Sequence, residues 1–155
     1  MVRGRPRFSV GILTYNSEGT LAMCLRAILG QGFPRDDLDV FIVDAGSTDA
    51  TTRIAAEYGV QVYTEKGCAR GRGRNICVER AKSDFLVMLD SDIVIPKGWL
   101  AMVEDSFKDP SVVEVSSPYY TPEPKGLVKR VVYYLTSGWQ VHTKGALRRE
   151  NWVSE

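Results

Sequence analysis

"FLVMLDSDIVIP", residues Phe85 to Pro96, is the stretch from which the rest of the chain can be read. Five apolar residues, Phe85 to Leu89, run into Asp90, Ser91 and Asp92, and an apolar run resumes at Ile93. The first five predict a strand buried on both faces, as in a parallel sheet. Asp90 and Asp92 lie two apart, so on an extended backbone their side chains share a face. Two neighbouring carboxylates repel, and each loses hydration in a closed site. A cation removes both penalties. Hard oxygen ligands suit Mg²⁺ or Mn²⁺, with phosphate oxygens completing the shell. The competing reading is turn chemistry, since Asp-Ser-Asp also serves loops and helix caps.

Outward from this strand, strands and helices alternate. Phe8 to Thr14 reads as a strand, and Glu18 to Leu29 as a helix with Leu21, Cys24, Leu25 and Ile28 at helical spacing. Gly30, Gly32 and Pro34 stop it. Asp39 to Val43 is a second strand. Ser47 to Tyr58 is a second helix, capped by Ser47 or Thr48 and ended by Gly59. Gln61 to Thr64 reads as a short strand and Asn75 to Ala81 as a helix. After the strand from Asp84 come a helix over Trp99 to Phe107 and a strand over Val112 to Ser116. This alternation predicts an α/β fold, a mostly parallel sheet with helices on both faces. Ligands in such sheets gather at the carboxyl ends of the strands. There the sequence places Thr14, Tyr15 and Asn16, then Asp44 to Asp49, then Asp90 to Asp92. Each set alone serves a turn; three sets at one sheet edge point to a site.

Two of these segments carry further chemistry. In "VDAGSTDAT", Val43 to Thr51, Asp44 at a strand end can accept hydrogen bonds from a base or ribose, and Gly46 admits a ligand close to the backbone. Asp49 fits helix-start chemistry equally well. "GCARGRGRN", Gly67 to Asn75, reads as a glycine-spaced arginine loop entering a helix. Arginine forks match phosphate, and a helix N-terminus favours anions. Nucleic acid would use the same arginines, but it leaves the acidic pair unexplained. A pocket for base and phosphate with a bridging metal uses both sets, and so points to a nucleoside diphosphate.

Bulk properties agree. The 155 residues, 44% hydrophobic and 25% charged, suffice for one soluble domain. The formal net charge of +1 argues against a polynucleotide partner. Cys24, Cys68 and Cys77 lack metal-ligand spacing and read as reduced thiols in a cytoplasmic protein. No apolar run approaches the length of a membrane span. A peripheral place at the cytosolic membrane face stays compatible with the sequence.

"TYNSEGTLAMCLRAIL", "VDAGSTDAT", "RGRGRN" and "LDSDIVIPKGWL" together resemble the nucleotide-binding half of family-2 glycosyltransferases with the GT-A fold. Order and spacing agree from about Phe8 to Leu100. The resemblance implies one GT-A domain over residues 1–155: a nucleotide-sugar-binding portion at 8–100 and part of an acceptor-side region at 101–155. It implies that Thr14, Tyr15 and Asn16 line a base pocket and that Asp44 contacts uracil or its equivalent. Arg70 and Arg74 would meet base and diphosphate. Asp90 would reach ribose or metal, and Asp92 would bind the Mn²⁺ or Mg²⁺ that bridges the diphosphate. The implied reaction is an inverting transfer of sugar from a nucleotide-diphosphate sugar, UDP-sugar by default, to a glycan or lipid-linked acceptor.

Two departures stand out. Ala45 occupies the place of a second family aspartate, and no residue matches the family's catalytic carboxylate, because "GALRRENWVSE" resembles the segment just before it. The alternative expectation is therefore a nucleotide-sugar-binding module without independent turnover. In "GLVKRVVYYLTSGW", the stripe Leu127, Val128, Val131, Val132 and Leu135 reads as core or as a subunit contact, and a homo-oligomer paired there would complete the site. A membrane-surface face is the other reading of that stripe.

Overall fold

The computed structural model describes residues 5–115 and 147–148. The stripe at 127–135 lies outside them, as does the segment 145–155 except for residues 147–148. The chain forms two compact units, Met1–Trp99 and Leu100–Glu155.

The first unit is built on four parallel strands: β1 (Phe8–Thr14), β2 (Leu38–Asp44), β3 (Gln61–Thr64) and β4 (Phe85–Asp90), in the order β3-β2-β1-β4. Helices α1 (Leu21–Leu29), α2 (Thr51–Glu57) and α3 (Arg70–Arg80) connect them. β1 is central and apolar, and all but one of its residues are buried. Its side chains alternate between two helical layers. On one face, Gly11 and Leu13 meet α3: a Cβ on Gly11 would stand 2.6 Å from the Cys77 sulfur. Phe41, Val43, Ile76 and Cys77 form the core there. On the other face Phe8, Val10 and Ile12 are fully enclosed, as is the α1 stripe Leu21, Cys24, Leu25 and Ile28. Burying each Leu or Ile of that stripe contributes roughly 1.5–3 kcal/mol. Among the described residues β4 is an edge strand and Met88 is 46% exposed, so the expectation that β4 is buried on both faces is not met.

In the second unit, α4 (Trp99–Ser106) buries Leu100 and Val103 on one side, and β5 (Val112–Glu114) pairs antiparallel with β6 (Leu147–Arg148).

Three helix starts differ from expectation. α1 begins at Leu21 instead of Glu18, because Ser17 to Thr20 form a turn closed by the amides of Thr20 and Leu21 on the Ser17 carbonyl. α2 begins at Thr51, and Ser47 and Thr48 do not cap it; Asp49 takes the Thr51 amide at 2.9 Å. The third difference is larger. α3 starts at Arg70, so the expected arginine loop is itself helix. Glycine disfavours helix, yet packing overrides it here. A Cβ on Gly73 would lie 2.9 Å from a Leu13 methyl, so the helix lies too close to β1 for an undisturbed side chain. Arg72 pins the same turns through ion pairs to Glu65 at 3.0 Å and Glu79 at 2.8 Å.

Candidate functional site

The carboxyl ends of β1, β2 and β4, with the start of α3, surround an open cavity of about 1100 Å³. Its shape depends on two loops locked together. The β1–α1 loop carries Asn16, Ser17 and Glu18; the β2–α2 loop carries Ser47 to Thr51. The Asn16 amide donates to the Ser47 hydroxyl at 2.8 Å, and the Thr48 amide donates to the Asn16 side-chain oxygen at 2.9 Å. Ser17 donates its amide to Thr51 at 2.7 Å. The Glu18 amide donates to the Asp49 carboxylate and the Ala50 amide to the Glu18 carboxylate, each at 3.0 Å. Burial opposes the charge on Asp49, but the Thr51 hydroxyl and the amides of Glu18 and Thr51 outweigh it and hold the carboxyl below its ordinary range. Asn16 sits at φ +48°, a left-handed conformation that Asn tolerates better than most residues.

Asp44 lies beneath these loops. It is 0% exposed and does not line the cavity. Its register partner Thr14 donates to it at 3.0 Å. The Gly46 amide at 3.0 Å, the Ser47 amide at 2.8 Å and the Ser47 hydroxyl complete four donors on one carboxylate. The expected direct contact between Asp44 and a base is not what this geometry offers, since every acceptor position already has a protein donor. Asp44 instead shapes the turn at Gly46, whose φ of +97° only glycine adopts readily.

The other expected residues separate into groups. Thr14, Tyr15, Asn16, Arg70, Asp90 and Asp92 all line the cavity. Tyr15 is 63% exposed, an unusual state for an aromatic ring beside a cavity. Arg74, one turn beyond Arg70, is exposed but is not part of the lining. Ser91 joins the β4 turn to the β1–α1 loop through Ser17 at 2.8 Å. Sequence reasoning missed Ser17, Glu18, Ser47 and Thr48 as loop fasteners; a run of small hydroxyl residues after each strand was the available signal. It also missed Lys66, which lines the cavity beside Gly46.

Among the described residues, no hydrogen bond or ion pair engages the side chains of Asp90, Asp92, Lys66 or Arg70; the Cys24 thiol reaches only the Asp90 carbonyl. The cavity is therefore polarised, with carboxylates at the β4 end and cations toward β3. No group of three His, Cys, Asp or Glu residues that could hold a metal occurs among the described residues. Two carboxylates still fit Mg²⁺ or Mn²⁺ when diphosphate and water supply the remaining ligands. The pair suits an ion that binds together with a diphosphate rather than one caged by protein alone.

Known proteins resemble this chain over much of its length. Residues 9–151 match the family described as Glycosyl transferase family 2. The poly(ribitol-phosphate) beta-N-acetylglucosaminyltransferase TarS of Staphylococcus aureus is 28% identical over 141 residues, 84% of this chain and 24% of that protein. A crystal structure of TarS residues 1–349 in complex with UDP superposes with a TM-score of 0.62 at 30% identity, covering 66% of this chain and 32% of the other. The mannosyltransferase PcManGT of Pyrobaculum calidifontis, in complex with GDP-Man and Mn²⁺, gives a TM-score of 0.61 at 27% identity, covering 70% and 34%. The chain thus spans about a quarter of the full length of TarS. The parallel sheet with its helices has the Rossmann-like GT-A architecture, and the chain belongs to glycosyl transferase family 2.

Proposed function

We propose that the chain holds a nucleoside diphosphate sugar, a UDP-sugar by default, across the strand ends of its first unit as the donor side of an inverting glycosyltransferase. One observation carries this reading: Asp90 and Asp92, whose carboxylates have no hydrogen bond or ion pair among the described residues, line the same cavity as the N-terminus of α3 and Arg70. Two carboxylates alone would repel a diphosphate. With a divalent ion between them they attract it, and the helix N-terminus and Arg70 meet the remaining phosphate charge. Asp92, with Asp90 beside it or turned to the ribose, would hold Mn²⁺ or Mg²⁺, and the ion would stabilise the departing nucleoside diphosphate. Tyr15 offers its ring to the base, with Thr14 and Asn16 around it. Asp44 acts through the turn that it braces. Arg74 stands one helical turn behind Arg70, within reach of a longer ligand. UDP in the TarS complex and GDP-Man with Mn²⁺ in PcManGT support this ligand class.

Residues beyond this cavity would place the acceptor, a glycan or a lipid-linked carrier, to take the sugar from the donor as the nucleoside diphosphate leaves. A second reading, binding without independent turnover, is favoured by one observation. Asp90 and Asp92 are the only carboxylates lining the cavity among the described residues, and both are committed to the donor. A second copy, or a peripheral membrane site on the cytoplasmic face, would bring the acceptor to it. No helix among the described residues is long and apolar enough to cross a membrane.

Calorimetric titration of UDP, then GDP, with and without Mn²⁺, tests the reading on wild type and Asp92→Ala. Metal-dependent binding by wild type and its loss in the variant are expected. Binding that ignores both the metal and the substitution would overturn the assignment. Release of nucleoside diphosphate from a bound donor, with and without acceptor, separates turnover from binding alone.

A further inference from the structure

The cation at the β3 end of the cavity has no role in the assignments above. Lys66 follows β3 in the loop that leads to α3. Its backbone and stem lie against Gly46: an ideal Cβ there would meet Lys66 Cγ at 3.1 Å and Cα at 3.3 Å. The side chain is exposed and lines the cavity, and no described residue pairs with its ammonium. The neighbouring wall is poor in acceptors. The Asp44 carboxylate is enclosed with four donors. The Asp44 carbonyl accepts from Glu65 and the Ala45 carbonyl from Gly67, each at 2.9 Å. Ala45 lines this space and brings no side-chain acceptor to it.

The sheet order sets the distance to the acidic end. β3 and β4 are the outer strands of β3-β2-β1-β4, three spacings apart, or about 14 Å. The start of α3 lies between them, because Gly73 packs on Leu13 of β1 and Val43 of β2. A nucleotide with its diphosphate at α3 and its metal at Asp92 therefore extends its base toward Lys66.

We infer that Lys66 is the base-selecting residue of this cavity, donating to the keto oxygen O4 of uracil or O6 of guanine and rejecting cytosine and adenine, which carry an amino group at that place. The inference rests on the nucleotide reading given above. A keto oxygen accepts from an ammonium. The exocyclic amino group of cytosine or adenine instead brings N–H groups toward a cation, on a wall with few free acceptors to receive them.

The test is calorimetric titration of UDP, GDP, CDP and ADP in Mn²⁺ on wild type and Lys66→Met. Methionine keeps the length of the stem, and the position is exposed, so folding is preserved; thermal melting checks this. Wild type should bind UDP and GDP more tightly than CDP and ADP. In Lys66→Met the UDP affinity should fall about tenfold, the scale of one hydrogen bond to a charged group, while CDP affinity stays level or rises. Equal losses for UDP and CDP would overturn the inference, because they would place the ammonium on the phosphates. So would a wild type without keto preference, or a variant that retains it. If wild type binds none of the four nucleotides, the donor-site reading itself fails and this inference fails with it.

Discussion

Asp44 shows how a carboxylate at a strand end can be spent on bracing the loops around a cavity. Its carboxylate is enclosed, and four donors from Thr14, Gly46 and Ser47 converge on it. Removing it strands buried N–H and O–H groups, each costing about 1–3 kcal/mol when unsatisfied. Asp44→Ala should therefore destabilise the chain by about 3 kcal/mol or more, read as a lower midpoint in urea. Asp44→Asn keeps the volume and part of the bonding and should cost less. If Asp44 served a ligand directly, both variants would keep their stability and lose only nucleotide binding; unchanged urea midpoints would therefore sink the bracing role. The sequence located Asp44 correctly at a strand end. It could not reveal Thr14 as a donor, because that residue, on the neighbouring strand, becomes a partner only when β1 and β2 pair in register; the Gly46 and Ser47 donors are local, an Asx-type turn that the sequence itself allows.

At the scale of elements, the strands were more legible than the helix starts. An apolar run such as "DVFIV" extends by one residue at each end into β2, since burial on both faces is written in the continuous apolar run itself. Helix starts depend on contacts between loops. Asp49 answers to Glu18 and Thr51, and Asn16 to Thr48, across more than thirty residues in three of these bonds. α3 was the hardest element to anticipate. Its glycines read as loop, yet they have different tasks. Gly73 meets β1, while Gly71 has nothing within 4 Å of an added Cβ. Gly71→Ala should stabilise the chain by about 0.5 kcal/mol, because alanine favours helix and no neighbour objects. Gly11, the partner surface on β1, is the opposite case. Its Cβ would meet Cys77 at 2.6 Å and Phe41 at 3.1 Å, so Gly11→Ala should cost about 1–3 kcal/mol of overpacking and push α3 outward. Thermal melts of the two variants should shift in opposite directions. A shared sign would mean that α3 does not pack on β1 as described.

Across the first unit as a whole, two cysteines report on opposite faces of one sheet. Cys24 belongs to the α1 stripe and Cys77 to α3, and both are buried free thiols; Cys68 is partly exposed and lines the cavity. Burial, with Asp92 adding to it, pushes the Cys24 thiol up to about 12, and burial pushes Cys77 up to about 11 despite the opposing charge of Arg74. Both values lie above the ordinary 9.0, so the folded state keeps protons that the unfolded chain gives up. Stability from these thiols is complete below pH 9 and falls as pH rises from 9 toward 11 and 12. At pH 8 neither buried group is a thiolate or accessible, and alkylation must wait for the unit to open. A native chain treated with iodoacetamide should therefore lose Cys68 first. Cys24 and Cys77 should follow at least about a thousandfold more slowly, in proportion to the rare open state. The comparison between those two rates carries the most information. If the sheet and both helical layers unfold as one cooperative unit, Cys24 and Cys77 must label at rates that rise together with added urea and converge on global unfolding. If α3 detaches first, Cys77 labels ahead of Cys24. The strand-end cavity, which has the start of α3 in its wall, would then be lost before the fold that supports it.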